Sequence, residues 1–112
     1  MPTVNIFHQA ELSVDVLHKN LMSLRDFLAK ELTCGDIALK PEEVSVRIIS
    51  VQGAGMIAPV EIEVTAHAFE DRIKRQDEIC LRIREFIKQK LNVPHDVRVW
   101  LLLPQLGHSW EE

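Results

Sequence analysis

Leu24-Arg25-Asp26-Phe27-Leu28 recurs 59 positions later as Ile83-Arg84-Glu85-Phe86-Ile87. Each copy puts apolar residues at i, i+3 and i+4, the stripe of an amphipathic helix. A second shared motif follows each copy, Val46-Arg47-Ile48 and Val97-Arg98-Val99, now 51 positions apart. The shorter spacing implies a shorter connection in the second copy. Strand, helix and strand, used twice, give two βαβ repeats at about 2–52 and 59–104 of one 1–112 domain, with a tail at 105–112. Carried back to the first strands, the 59-residue register aligns His8 with His67 and Glu11 with Glu70.

Working outward, Thr3 to His8 is β-branched and apolar and predicts a strand starting directly after Pro2. Ser13 is suited to cap the first helix, with Leu12 and Leu17 as a hydrophobic staple and Leu17, Leu21, Leu24, Leu28 and Leu32 on its apolar stripe. Gly35 closes that helix, and Glu43 to Val51 predicts a second strand with both faces partly covered. After Gly53 and Gly55, Val60, Ile62, Val64 and Ala66 alternate with Glu61, Glu63, Thr65 and His67, as in a half-buried strand. A second helix from about Asp71 to Leu91 buries Ile79, Cys80, Ile83, Phe86, Ile87 and Leu91, and Asn92 with Pro94 stops it. Val97 to Leu103 predicts the last strand, ended by Pro104.

Two such units expose one side of each sheet when alone. The expected class is therefore α+β, one four-stranded mixed sheet with two helices on one face. A ferredoxin-like domain shares this element order with different pairing, and pattern alone leaves both open. The uncovered face retains apolar residues, which self-association would bury.

Composition narrows the partners. The 112 residues carry 13 Lys plus Arg against 17 Asp plus Glu, a net charge of −4, which disfavours nucleic acid or an acidic membrane surface. No apolar run approaches the roughly 20 residues of a membrane span, and the start has no secretory signal pattern, so a soluble cytoplasmic protein is expected. Cys34 and Cys80 form no CxxC and are read as reduced thiols. A small-molecule substrate or a protein surface is the expected partner.

Met1-Pro2 followed at once by a strand, then a helix, then Ser45-Val46-Arg47-Ile48-Ile49, resembles the 4-oxalocrotonate tautomerase pattern. A second half fused behind it resembles the trimeric members of that superfamily, 5-carboxymethyl-2-hydroxymuconate isomerase and macrophage migration inhibitory factor. The resemblance implies a homotrimer in which Met1 is removed and the Pro2 amine is the general base of a keto-enol tautomerase acting on a small enol or keto acid. An amine serves as a base near neutral pH once desolvation and nearby cations favour its neutral form. By the same resemblance Arg47 matches a substrate-binding arginine, with Arg98 as its repeat counterpart and Arg47 the stronger match. Arginine suits this role because it holds a carboxylate in bidentate fashion and polarises a developing enolate. Where 4-oxalocrotonate tautomerase has another arginine before the first helix, this chain has Leu12, and the family's pocket phenylalanine has no match near Gln52 to Met56. The alternative is a noncatalytic binding or structural trimer.

The remaining chemistry-bearing residues have plainer readings. His8, His18, His67, His95 and His108 lack metal-ligand spacing, so no metal or other cofactor is expected. His8 and His67 are read as structural, ending equivalent strands near a common edge. Lys74, Arg75, Arg82 and Arg84 read as a solvated helix face. Trp100 belongs to a packing strand, and Trp110 in the tail is a candidate substrate-binding residue that laps over a neighbour.

Overall fold

The computed structural model describes residues 2–10, 12, 15–34, 38–52, 55–91 and 96–105. In strand β1 (Thr3–Gln9), buried Val4, Ile6 and His8 alternate with half-exposed Thr3, Asn5, Phe7 and Gln9. Period-two alternation of this kind lays one face on a core and leaves the other uncovered. Strand β3 (Val60–Thr65) does the same with Val60, Ile62 and Val64. With β2 (Ser45–Val51) and β4 (Val97–Leu102) they form one sheet in the order β2-β1-β3-β4. β1 and β2 are parallel, β3 and β4 are parallel, and the pairs meet antiparallel along β1 and β3. Each βαβ unit keeps its own strands adjacent, which excludes the split unit of the ferredoxin-like arrangement.

The pairing register defines the relation between the halves. Ile6 pairs with Ile62 in the middle of the β1/β3 ladder, and Asn5 beside Arg47 is matched by Glu61 beside Arg98. A pseudo-twofold axis at the Ile6–Ile62 pair therefore relates β1 to β3 by 56 residues and β2 to β4 by 51, while the helices keep 59. Registers of 56 and 59 differ by an odd number, and an odd shift turns a strand's other face to the core. His8 thus corresponds to buried Val64, and its expected equivalence with His67 does not hold. Because β1 and β3 are antiparallel, the two histidines lie toward opposite ends of the sheet and share no edge. Glu11 lies outside the described residues.

Each expected helix consists of two segments. Helices α1 (Asp15–Lys19) and α2 (Leu21–Leu32) meet at Asn20, and α3 (Glu70–Lys74) and α4 (Gln76–Leu91) meet at Arg75. The junctions have nearly the same backbone, φ −104° and ψ 17° at Asn20 and φ −104° and ψ 14° at Arg75, between helical and extended geometry. Asn20 stabilises its break by donating Nδ2 to the Val16 carbonyl at 2.8 Å. β2 starts at Ser45, two residues after the expected Glu43, which ends a 3-10 turn at Pro41–Glu43. The expected cap Ser13 and the expected stops Gly35, Asn92 and Pro94 lie outside the described residues.

The core lies between this helical layer and the sheet. Leu17, Leu24, Leu28 and Leu32 from the first half, and Ile79, Ile83 and Ile87 from the second, pack on Val4, Ile6, Val60, Ile62 and Val64. Each such side chain contributes about 1.5–3 kcal/mol on burial. Phe27 and Phe86, the aromatic residues of the repeated motif, stack at 4.3 Å with an interplanar angle of 11°. Glu31 is buried at 6% exposure and pairs with Arg75 and Arg82. Those two arginines therefore hold a buried carboxylate, a role beyond the solvated face expected of them, whereas Lys74 pairs with Glu70 in the open. No described helix is long and apolar enough to cross a membrane.

Candidate functional site

Pro2 is buried at the entry to β1, and its carbonyl accepts the Ser45 N–H at 3.0 Å. Thr3 pairs with Ser45 on one side and Thr65 on the other, so one step back Pro2 lies between Val44 and Ala66. Through the 56-residue relation the counterpart of Pro2 is Ala58, buried at 1% exposure inside the chain. An internal residue has an amide and no basic amine, so the half that carries Ala58 offers no amine at this position.

The arginines lie elsewhere. On the uncovered side of the sheet, neighbouring strands line up Arg47, Asn5, Glu63 and Trp100 in one row, and Ile49, Phe7, Glu61 and Arg98 in the next. Arg47 is exposed and reaches Asn5 Oδ1 at 3.5 Å. Pro2 continues the opposite phase, that of Val4 and Ile6. Within one chain, then, Arg47 and Pro2 fall on opposite sides of the sheet. Arg47 and Arg98 occupy its two edge strands, at least about 14 Å apart across three strand spacings.

Arg98 lines a groove of about 420 Å³ along the outer edge of β4, with Arg84, Asp96, Cys80, Leu81 and Trp100 on its walls. Asp96 Oδ2 accepts Arg98 Nε at 3.0 Å, and Asp96 Oδ1 lies 3.7 Å from Arg84 Nη2. The Arg98 hydrogen bond, more than the charges of Arg98 and Arg84, holds the Asp96 carboxyl below its ordinary pKa. Arg84 also donates Nε to the Val97 carbonyl at 3.1 Å, as Arg25 does to Val44 at 3.2 Å in the first half. The second wall differs in character: burial and the Asp77 charge push the Cys80 thiol up, against a smaller opposite effect of the Leu101 backbone. Such a thiol is a poor nucleophile.

Trp110 lies outside the described residues. Trp100 is 42% exposed beside Glu63 and is not part of the core. His8 is buried and its Nδ1 lies 2.8 Å from the Gln9 carbonyl. Arg72, a residue the sequence does not distinguish from any solvated helix charge, is 5% exposed and donates to the carbonyls of Leu32 and His67. Only its tertiary contact with the end of α2 sets it apart. Leu12 packs partly buried against the core.

The topology agrees with that of several solved structures. A macrophage migration inhibitory factor-like protein from Entamoeba histolytica superposes with a TM-score of 0.67 at 10% identity, covering 96% of this chain and 95% of that one. A fused 4-OT, wild type, in a symmetric trimer superposes with a TM-score of 0.62 at 13% identity, covering 92% and 85%. The chain has the tautomerase-superfamily fold. A protein of unknown function from Vibrio cholerae shares this tautomerase fold too, with a TM-score of 0.68 at 17% identity over 99% of this chain and 84% of that one. No family model matches the sequence, and neither does any curated protein. A tautomerase fold at these identities specifies the scaffold, and the chemistry has to be argued from the residues it carries.

Proposed function

We propose that the chain is a cytoplasmic tautomerase-like isomerase of a small enol or keto acid, working as a homotrimer with Pro2, freed by loss of Met1, as general base. The observation that carries this reading is the buried position of Pro2 at the start of a central strand of a tautomerase fold. Burial disfavours a charged amine and so favours the free base at neutral pH. The Pro2 nitrogen takes a proton from the enol hydroxyl and returns it to carbon, or the reverse, with no net change in the enzyme.

An anionic substrate needs a cation, and Arg47 of the same chain lies on the other side of the sheet. The reading therefore assigns the guanidinium to a neighbouring copy. Arg47 on the edge strand β2 keeps the closer motif and is the first candidate donor, with Arg98 on the edge strand β4, beside Arg84 and Trp100, as its counterpart. Trp110 from a neighbour's tail belongs to the same proposal.

The test uses phenylenolpyruvate and 2-hydroxymuconate with protein whose intact mass shows that Met1 is gone. Turnover by the native chain, lost on adding residues before Pro2 while the oligomer persists, is the expected result. Turnover that survives the extension removes the mechanism. Leu12 favours a second reading, a binding or structural trimer without catalysis, since an apolar residue supplies no carboxylate clamp. Inertness of correctly trimmed protein toward both acids is the outcome that reading predicts.

A further inference from the structure

The two edge strands of the sheet differ in what is left of their outer backbone. The Ser45 N–H bonds the Pro2 carbonyl, so Ser45, Arg47 and Ile49 turn their peptide groups toward β1, and Val44, Val46, Ile48 and Ser50 turn theirs outward. On β4 the Leu102 carbonyl accepts the Ala66 N–H, so Arg98, Trp100 and Leu102 face β3, and Val97, Val99 and Leu101 face outward.

Helix α4 closes the β4 edge. The Val97 carbonyl accepts Arg84 Nε at 3.1 Å, the Leu101 carbonyl accepts Gln76 Nε2 at 2.9 Å, and the Leu101 backbone also bonds the Cys80 sulfur. Gln76, Cys80 and Arg84 recur every fourth residue and so form one stripe of the helix. Shifted by the 59 residues that relate the helices, the stripe becomes Leu17, Leu21 and Arg25. Only Arg25 still bonds the edge there, at the Val44 carbonyl, while the Val44 N–H is taken by the Pro41 carbonyl. Among the described residues nothing bonds the outward groups of Val46, Ile48 and Ser50. The stretch from Val46 to Ser50 is therefore an unpaired edge, about 17 Å long, of the kind that templates another strand.

A ring of three copies joins unlike surfaces, which excludes pairing of β2 with its own equivalent about a twofold axis. β1 and β3 are internal and β4 is closed, so the added strand has to come from outside the sheet. The seven residues after Gln105, Leu106 to Glu112, contain no proline and span up to about 23 Å when extended. We propose that the open edge of β2 receives residues 106–112 of a second copy of this chain as an added strand. The inference rests on the homotrimer of the reading above and names the contact that builds it, with the neighbour's Trp110 arriving on that strand. Each copy gives one such segment and accepts one at β2.

Amide hydrogen exchange, read by NMR on protein that sediments as a trimer, tests the pairing. Val46, Ile48 and Ser50 are expected to be protected along with Arg47 and Ile49, whose N–H groups already bond β1. The full-length variant His108→Pro/Ser109→Pro removes two consecutive N–H donors from the segment. It should abolish protection at Val46, Ile48 and Ser50 and spare Arg47 and Ile49, which report an intact sheet. Ser50→Pro, at an outward N–H whose loss costs β1 nothing, should weaken assembly about tenfold in sedimentation equilibrium. Rapid exchange at Val46, Ile48 and Ser50 in the trimer overturns the proposal, as does protection that survives the double proline variant or assembly unchanged in Ser50→Pro. Protected amides in a dimer assign the edge to twofold β2 pairing and overturn it too. An inert chain with the expected exchange pattern removes the Pro2 chemistry and leaves the pairing, whereas an active trimer with rapid exchange does the reverse.

Discussion

Arg82 Nε bonds Glu31 Oε1 at 2.5 Å across the helical layer, and the partners differ in burial: 5% of the Glu31 side chain is exposed against 56% of Arg82. Removing the cations leaves a carboxylate stranded in the interior, whereas removing the acid releases arginines that already reach water. The double variant Arg75→Met/Arg82→Met should lose about 3 kcal/mol and Glu31→Leu under about 1 kcal/mol. Urea unfolding at one protein concentration measures both, since assembly makes stability depend on concentration. Equal losses contradict the asymmetry.

Arg72 spans two carbonyls, those of Leu32 and His67, with a single planar fork. Arg72→Met leaves the Leu32 carbonyl only the weak Cys34 thiol and the His67 carbonyl only the Phe69 N–H, and should cost about 1–2 kcal/mol. Arg72→Lys should restore less than half, because one compact ammonium does not reproduce the fork. Full restoration by lysine, read in the same unfolding experiment, shows that charge alone suffices.

Asp96 gives a pH signature. Its folded pKa is lowered, first by the Arg98 hydrogen bond, so its favourable contribution is present above the unfolded carboxyl pKa and is lost as pH falls through the lowered folded value. A carbon-13 titration should place its midpoint below the ordinary 3.8. Arg98→Gln should raise that midpoint toward the ordinary value. A midpoint unmoved by this change excludes the Arg98 bond as its cause.

Cys80 should resist alkylation. Its pKa is raised by burial and then by Asp77, so less thiolate is present at neutral pH than in a free cysteine. Iodoacetamide labelling followed by peptide mass mapping should show a midpoint above the ordinary 9.0, and Asp77→Asn should bring it partly back. Labelling at the rate of a free thiol near pH 7 rules out this shielding.

Much of the fold is legible because periodicity is local. The repeated Leu24 to Leu28 and Ile83 to Ile87 motifs announce paired helices, and Phe27 and Phe86 end in a stack. The alternation from Val60 to Val64 likewise foretells the buried side of β3. The His8–His67 alignment fails because one spacing was carried from helices into strands, where insertions between them change the parity. Nothing in a lone sequence reports that parity. Pro2 is visible as a candidate from its place before the first strand, yet the phase that separates it from Arg47 depends on pairing register, a tertiary property. Glu31 and Arg72 look like solvated charges until the elements facing them are known.

The inequivalence of Pro2 and Ala58 extends to how each tolerates change. Ala58 sits mid-chain, where its backbone nitrogen is an amide and its burial at 1% exposure makes packing its whole task. The proposed chemistry asks more of Pro2 than of its symmetry mate, so substitutions at the two positions are expected to differ in kind: at Ala58 they act through volume, and at Pro2 through the nitrogen.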